Sequence, residues 1–166
     1  MKNNRRKPWL PCLLDRLLDD EPRKQVETWD RYHFDARALR KIIQQNIAEI
    51  LNTANIEERL HPLRHRYTAG SVLNYGISPQ VGGYSTPHNW SDLERMIRDA
   101  LIRFEPRLIP DSIVINLIGD RQAPACNGII QFDIRALVWW DPQPFDLAIG
   151  ARYDLETDSA SVTLNH

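Results

Sequence analysis

The sequence has few cysteines and no long apolar run. Its two cysteines, Cys12 and Cys126, lie far apart and match no CxxC or Cys/His zinc pattern. We therefore expect two reduced thiols rather than a disulfide, which agrees with a cytoplasmic protein. No stretch approaches the roughly 18 consecutive apolar residues that a membrane-spanning helix requires. After the basic N-terminus, charge interrupts the apolar region too early for a signal peptide, so we expect no direct membrane insertion.

Lysine is also rare, and the net charge is close to zero. The 21 basic residues comprise 17 Arg and only 4 Lys, and the formal net charge is −1. The basic residues are spread along the chain apart from Arg5, Arg6 and Lys7, so a nucleic-acid-binding protein is not indicated. Arginine is enriched at protein interfaces because its planar guanidinium binds carboxylates and carbonyls in two directions. The skew favours an interaction protein, although genomic base composition can produce the same skew.

Motifs that carry catalytic chemistry are missing as well. The Gly-Gly pair is followed by no Gly-Lys-Ser/Thr, so nothing indicates nucleotide binding. His61 and His65 have the spacing of zinc ligands on a helix, but Pro62 lies between them and no HExxH glutamate accompanies them. Cys126 has no defined histidine partner, and no Gly-x-Ser-x-Gly elbow occurs. We therefore expect no nucleophilic catalysis, no metal ion and no cofactor.

Two segments have helical periodicity. Asp35 offers an N-cap for a helix with an apolar face, and Gln44 is predicted to point away from that face. The face consists of Leu39, Ile42, Ile43, Ile47, Ile50 and Leu51. A capping box from Ser91 to Glu94 predicts the start of a second helix, which Pro106 ends. Between the helices, residues 56–89 are rich in Gly and Pro and predict a long loop region of the kind that is functional or contacts partners.

After the second helix the period changes from helical to alternating. Residues 112–118, 128–140, 145–155 and 160–164 read as strands separated by turn-forming clusters. This order of elements predicts an α+β fold, in which two main helices pack on an antiparallel β-meander of about four strands.

The N-terminal part is predicted to be a helical tail. Leu10, Leu13, Leu14, Leu17 and Leu18 follow helical spacing and form a short amphipathic helix. Such a helix packs back on its own domain or fills a groove of a partner, and the sequence leaves both interpretations open. We divide the chain into a tail and linker, residues 1–33, and an α+β domain, residues 34–166.

Glu105 is the candidate residue for an enzyme. Glycoside hydrolysis needs an acid carboxyl and a second carboxylate, which Asp99 or Asp111 could supply. However, Arg107 lies two residues away, and a neighbouring cation favours a charged carboxylate whereas a general acid must be protonated. The stronger interpretation is a pair that fixes the corner between helix and sheet or clamps a partner. Peptidoglycan hydrolysis through Glu105 is one alternative, and a generic assembly adaptor is another.

Three short strings of the sequence occur together in a distinctive order. They are LLDRLLDD at residues 13–20, SVLNYG at 71–76 and FEPRL at 104–108. The strings are similar to those of the TssE family of type VI secretion baseplate proteins, and the resemblance extends from Leu13 to about Val162. The family's Glu-Pro-Arg motif matches Glu105, Pro106 and Arg107 without change. Residues 78–88 and the Trp139-Trp140 pair depart from the family's pattern, and no contacts are carried over to them.

The resemblance implies a homologue of contractile-phage baseplate wedge proteins and no enzymatic activity. It places the protein in a baseplate at the cytoplasmic face of the inner membrane. It also implies that other wedge subunits hold the protein and that its sheet edges pair with strands of the first ring of sheath subunits. The protein would then help to start sheath assembly.

The last predicted strand is the expected docking edge. Val162 shares a face with Ala160 and Leu164, and the strand lacks the Lys and Pro that usually protect an edge. Its backbone is therefore expected to be open on one side for an added strand. The strand at 112–118 is the second choice. The predicted partner-binding residues are Glu105, Pro106, Arg107, Val162, Thr163 and Leu164, together with Leu13, Leu14 and Leu17 of the tail.

Overall fold

The computed structural model describes residues 22–26, 36–61, 63–79, 90–119 and 128–164. Contacts within the chain divide it into two units, Met1–Lys41 and Ile42–His166. In the first unit, residues 22–26 are exposed and residues 36–41 form the start of a helix. The predicted tail helix with Leu13, Leu14 and Leu17 lies outside the described residues. The tail and the boundary after residue 33 therefore stay predictions.

The described residues form helices first and then strands. The helices are α1 (Ala36–Leu51), the one-turn α2 (Arg66–Ala69) and α3 (Trp90–Phe104). Short 3-10 turns lie at Glu57–Arg59, Val72–Asn74 and Pro110–Ser112. The strands are β1 (Val114–Leu117), β2 (Ile129–Val138), β3 (Phe145–Asp154) and β4 (Ser159–Leu164). The predicted α+β fold is thus confirmed.

Helix α1 buries the face that its periodicity predicted. Ile43, Ile47, Ile50 and Leu51 are buried, and their spacing of three to four residues keeps them on one side of the helix. Gln44 was predicted to point away from this face into solvent, but it is half-buried. Its amide contacts the last strand of the sheet, as described below, which explains the difference.

Helix α3 begins slightly earlier than its sequence pattern predicted. Its first residue is Trp90, so Ser91 lies inside the first turn and not at the N-cap. The Trp90 ring packs against Phe132 of β2, with 5.5 Å between the ring centroids. The buried residues of the helix are Leu93, Ile97, Ala100 and Leu101. Pro106, which has no backbone N–H to continue the helix, follows two residues after its end.

The four strands form one antiparallel sheet in the order β1-β2-β3-β4. Strands that follow each other in the sequence are also neighbours in the sheet, which is the predicted meander. β2 and β3 pair along their whole length, from Ile129 with Asp154 to Val138 with Phe145. Alternate residues such as Phe132, Ile134 and Ile149 are buried on one face, as a sheet covered on one side requires. β1 and β4 are the two margins of the sheet.

A tight turn joins β3 to β4. Asp154 Oδ1 accepts hydrogen bonds from the backbone N–H of Glu156 at 2.8 Å and of Thr157 at 3.4 Å. Asp158 has a positive φ of 49°, a conformation that Asp tolerates better than most residues. Its Oδ1 accepts a hydrogen bond from Tyr153 Oη at 2.9 Å, and burial raises the pKa of that phenol. These bonds fix where β4 starts along the margin.

Candidate partner-binding sites

Glu105 and Arg107 form a close pair at the C-terminal end of α3. The Glu105 side chain is only 1% exposed and that of Arg107 is 27% exposed. Arg107 Nε and Nη2 donate to Oε1 and Oε2 of Glu105, each at 2.6 Å, which is the two-pronged geometry typical of arginine with a carboxylate. Asn46 Nδ2 of α1 lies 3.5 Å from Oε2. The sequence was interpreted as a pair that fixes the corner between helix and sheet or clamps a partner, and the structure buries the carboxylate of this pair.

The backbone that follows Glu105 is held by β2. Ile109 N–H donates to Leu137 O at 2.8 Å, and Trp139 N–H donates to Arg107 O at 2.9 Å. Leu108 and Val138 form an isolated antiparallel bridge between the same two segments. The Arg107 backbone is therefore fixed against the sheet while its side chain returns to the helix end. The pair fixes the corner between α3 and the sheet.

The surroundings of Glu105 do not suit a glycosidase acid. Both carboxylate oxygens accept from Arg107, and at 1% exposure the group offers no surface to a polysaccharide. Asp99 and Asp111, the proposed second carboxylates, are exposed. A general acid must instead reach the leaving-group oxygen of its substrate and donate a proton to it. The geometry at Glu105 is thus that of a structural ion pair.

The SVLNYG string holds the connection between α1 and α3 at its base. Asn74 is fully buried, accepts from Ile56 N–H at 3.1 Å and donates to Ala69 O at 3.1 Å. Gly76 has φ +100°, and a Cβ at this position would lie 2.0 Å from Thr53 O. Only glycine avoids both the strained φ and this backbone collision. The string therefore includes at least two residues that determine the local fold.

Tyr75 of the same string links the connection to α3. Its ring lies 5.0 Å from that of Phe104, measured between centroids. Burial raises the pKa of Tyr75, and the nearby carboxylates of Glu49 and Glu105 raise it further. The neutral phenol is thus the form that the fold favours.

The outer margin of β4 is bonded to side chains of the α1 region. Ala160 N–H donates to Asn52 Oδ1 at 2.8 Å, and Asn52 Nδ2 donates to Ala160 O at 2.9 Å. Gln44 Nε2 donates to Val162 O at 2.8 Å. The sequence predicted an open backbone here, and these contacts correct that prediction for part of the strand.

The same contacts show in which direction the backbone N–H and C=O groups of each β4 residue point. In an antiparallel pair, the N–H and C=O of one residue point to the same side and successive residues alternate. Ala160 and Val162 therefore direct their backbone groups outward, whereas Ser161 and Thr163 direct theirs to β3. The amide of Thr163 is consequently part of the β3–β4 ladder, in which it is paired with Gly150. Among the described residues, the Val162 N–H has no hydrogen-bond partner.

The opposite margin, β1, is arranged similarly. Ile118 N–H donates to Gln131 O at 2.8 Å, so by alternation Ile115 and Leu117 direct their backbone groups outward. The guanidinium of Arg98, which pairs with Glu94 at 3.0 Å, donates to the carbonyl of Ile113 just before this strand. Each margin thus has a helix side chain bonded near it.

The family model for the baseplate wedge protein gp25 matches residues 37–143 of this chain. The chain belongs to the baseplate wedge protein gp25 family. TssE is the type VI homologue of gp25, so the resemblance to the TssE family is confirmed. No curated protein and no solved structure matched the chain.

Membership of the gp25 family supports a structural role in a baseplate, in assembly with other baseplate subunits. The family consists of structural baseplate proteins, which agrees with the expectation of no enzymatic activity. The matched range includes α1 after its first residue, the Glu105–Arg107 corner and β2, whereas β3 and β4 lie beyond it.

Several large side chains of this gp25-family protein are exposed in the connection between α1 and α3. Leu63, Tyr67, Val72 and Leu73 are each between 71% and 88% exposed. The sequence predicted a long partner-contacting loop region here without naming these residues. The sequence did contain a sign of them, namely apolar residues among turn-forming ones. A loop that only reverses the direction of the chain does not need such apolar side chains.

The two candidate zinc histidines are engaged with the backbone. His65 Nδ1 accepts from His61 N–H at 2.9 Å, and His61 Nδ1 accepts from Leu63 N–H at 3.3 Å. Within the described part of the chain, no group of three or more His, Cys, Asp or Glu residues is placed to hold a metal ion. In that same part, none of the helices has the length and apolar character needed to cross a bilayer.

Proposed function

We propose that this chain is a structural baseplate component of a type VI secretion system. It joins wedge subunits to the first ring of the contractile sheath and helps to start sheath assembly. The observation that carries the proposal is the combination of gp25-family membership with a sheet margin, β4, that retains an outward N–H at Val162. Such a margin can accept an added strand through main-chain hydrogen bonds.

Three groups of residues take part in the proposed contacts. Val162, Thr163 and Leu164 form the end of β4 at which a sheath strand pairs. Pro106, which is exposed, and the partly exposed Arg107 contribute to a surface for wedge subunits, with Glu105 holding Arg107 in place. Leu13, Leu14 and Leu17 of the tail fill a groove of a wedge subunit. The baseplate assembles at the cytoplasmic face of the inner membrane.

A proline at position 162 tests the docking edge. Val162→Pro removes the outward N–H and places the pyrrolidine ring where an incoming strand would pair, while proline is tolerated on a strand when the lost amide faces outward. Val162→Thr is the matched control, because it keeps the amide and nearly the same shape. Sheath assembly is observed in cells with a fluorescent sheath subunit, and folding is checked by circular dichroism.

We expect Val162→Pro to yield a folded protein without sheath assembly and Val162→Thr to assemble sheaths normally. Normal assembly with a folded Val162→Pro protein would exclude β4 as the docking edge. The outward groups of Ile115 and Leu117 on β1 would then be the next to test.

A further inference from the structure

The side chains of Asn52 and Gln44 occupy the places that a fifth strand would take beside β4. A carboxamide has the same donor and acceptor groups as a peptide unit. Asn52 both donates to Ala160 O, at 2.9 Å, and accepts from Ala160 N–H, at 2.8 Å. Two residues exchange the same pair of bonds in an antiparallel ladder. Gln44 Nε2 adds the donor to Val162 O at 2.8 Å.

An incoming strand cannot simply be added over these contacts. To pair with β4 along its length it must bond Ala160 N–H, which has one hydrogen and already donates it to Asn52. It must also approach the carbonyls of Ala160 and Val162, in front of which the two carboxamides lie. Pairing at Ala160 therefore requires Asn52 to leave, whereas no hydrogen bond from the described residues has to be broken at the N–H of Val162.

Both side chains are suited to leaving. Asn52 lies just after α1 and is exposed, so its side chain can rotate into solvent, where water replaces its bonds to Ala160 and the bond from Nδ2 to Ala48 O at 2.7 Å. Gln44 is half-buried, and its flexible side chain can rotate away without moving the helix. Edge strands commonly need protection against pairing with the wrong chain, and β4 has neither Lys nor Pro for that purpose.

We propose that Asn52 and Gln44 form a displaceable amide cap on β4, which a docking sheath strand replaces, beginning at Val162 and advancing to Ala160. This inference rests on the proposed use of β4 as the sheath-docking edge. The cap keeps the margin from pairing before the sheath subunit arrives. It also lowers the affinity of docking, because cap bonds are broken as strand bonds form.

The test compares the full chain with the double variant Gln44→Ala/Asn52→Ala. Gln45→Ala is the matched control, because Gln45 is the exposed neighbour of Gln44 on the same helix. Hydrogen exchange of the Ala160 amide reports the cap, and the affinity for purified sheath subunits reports docking. We expect exchange at Ala160 to accelerate about tenfold in the double variant, as the loss of one hydrogen bond implies. We also expect sheath affinity to rise several-fold, with Gln45→Ala unchanged in both measurements.

Asn52→Ala alone provides a second variant in case the double variant is poorly folded. It removes both bonds to Ala160 and keeps the Gln44 donor to Val162 O. Exchange at Ala160 should then accelerate as in the double variant, while sheath affinity rises by a smaller factor.

Different results would contradict the amide cap and the docking edge. Unchanged exchange at Ala160 in a folded double variant, or faster exchange with unchanged sheath affinity, would overturn the cap. Concentration-dependent dimers with unchanged sheath affinity would identify a second copy as the occupant of the edge and would also overturn it. If Val162→Pro abolishes sheath binding in those experiments, the proposed function stands without the cap. If Val162→Pro binds sheath subunits normally, the docking edge itself is wrong.

Discussion

The Glu105–Arg107 corner and the outer margin of β4 were both expected to face partners, but their polar groups are bonded in different ways. At the corner, the polar groups bond to one another around a carboxylate that is 1% exposed. At the margin, backbone groups bond to two carboxamides that another strand could replace. The first arrangement is fixed by burial and the second is open to exchange. A motif shared with a family can therefore determine the fold without forming the main contact surface.

Removal of the Arg107 side chain should have the largest effect on stability. Arg107→Ala leaves the Glu105 carboxylate buried, and the donors to it that remain among the described residues are Asn46 Nδ2 and a backbone amide. Breaking a buried ion pair costs about 3–5 kcal/mol, and the partial exposure of Arg107 reduces the expected loss to about 2–3 kcal/mol. Urea unfolding measures the change. A loss below about 1 kcal/mol would make the corner equivalent to a surface pair.

Proline substitution should distinguish the two sides of β4. Thr163→Pro removes an amide that points to β3 and leaves a carbonyl of that strand without its donor, which should cost about 2 kcal/mol. Val162→Pro removes an outward amide and some apolar contact, and should cost about 1 kcal/mol. Thermal unfolding of both variants gives the order. The reverse order would contradict the assignment of inward and outward residues.

The turn before β4 should show a pH dependence. The N–H of Glu156 holds the pKa of Asp154 below its usual value of 3.8, and Thr157 adds to this effect. Because the folded-state pKa is lowered, the stabilisation is present above pH 3.8 and is lost as the pH falls through the folded-state pKa. The free energy of unfolding of Asp154→Asn should therefore fall less steeply below this pH than that of the original protein. Identical slopes would contradict the prediction that the Asp154 carboxylate stabilises this turn.

The smallest effect is expected at an exposed ion pair. Arg95 and Asp92 approach to 3.4 Å, but the Arg95 side chain is 75% exposed. Arg95→Ala should change the free energy of unfolding by less than about 0.5 kcal/mol. Urea unfolding beside Arg107→Ala makes the comparison direct, since both variants lose one arginine. A similar loss in both would mean that burial does not distinguish the corner.

Periodicity alone predicted most of the fold. Ile43, Ile47 and Ile50 repeat at helical spacing, and the alternation through Phe132 and Ile134 marks a strand with one covered face. Both patterns are local and depend only on which side of an element is buried. The start of α3 was less accurate, because the Ser91 capping pattern competes with a helix that begins at Trp90, whose ring packs on β2.

The polar contacts of the candidate sites could not be predicted in the same way. Gln44 bonds to a residue 118 positions away, and Asn52 to one 108 positions away. On the helix, Gln44 looked like part of a solvated face, since nothing local shows that a strand margin lies beside it. The Glu105–Arg107 pair was evident from its spacing, but its burial depends on the packing of the corner against β2 and near Asn46.

The bridge between Ala54 and Ile77 has a consequence for how this family member can vary in length. Asn55 N–H donates to Ile77 O at 2.9 Å and Ile77 N–H donates to Thr53 O at 3.0 Å, which closes the connection at its neck. Residues beyond a closed neck can be inserted at small entropic cost, because doubling a flexible loop adds only about 0.6 kcal/mol. The fold should therefore tolerate extra residues beside the exposed Tyr67. One extra residue at Gly76 would instead break the bridge between Ala54 and Ile77 and release Asn74 from its buried position.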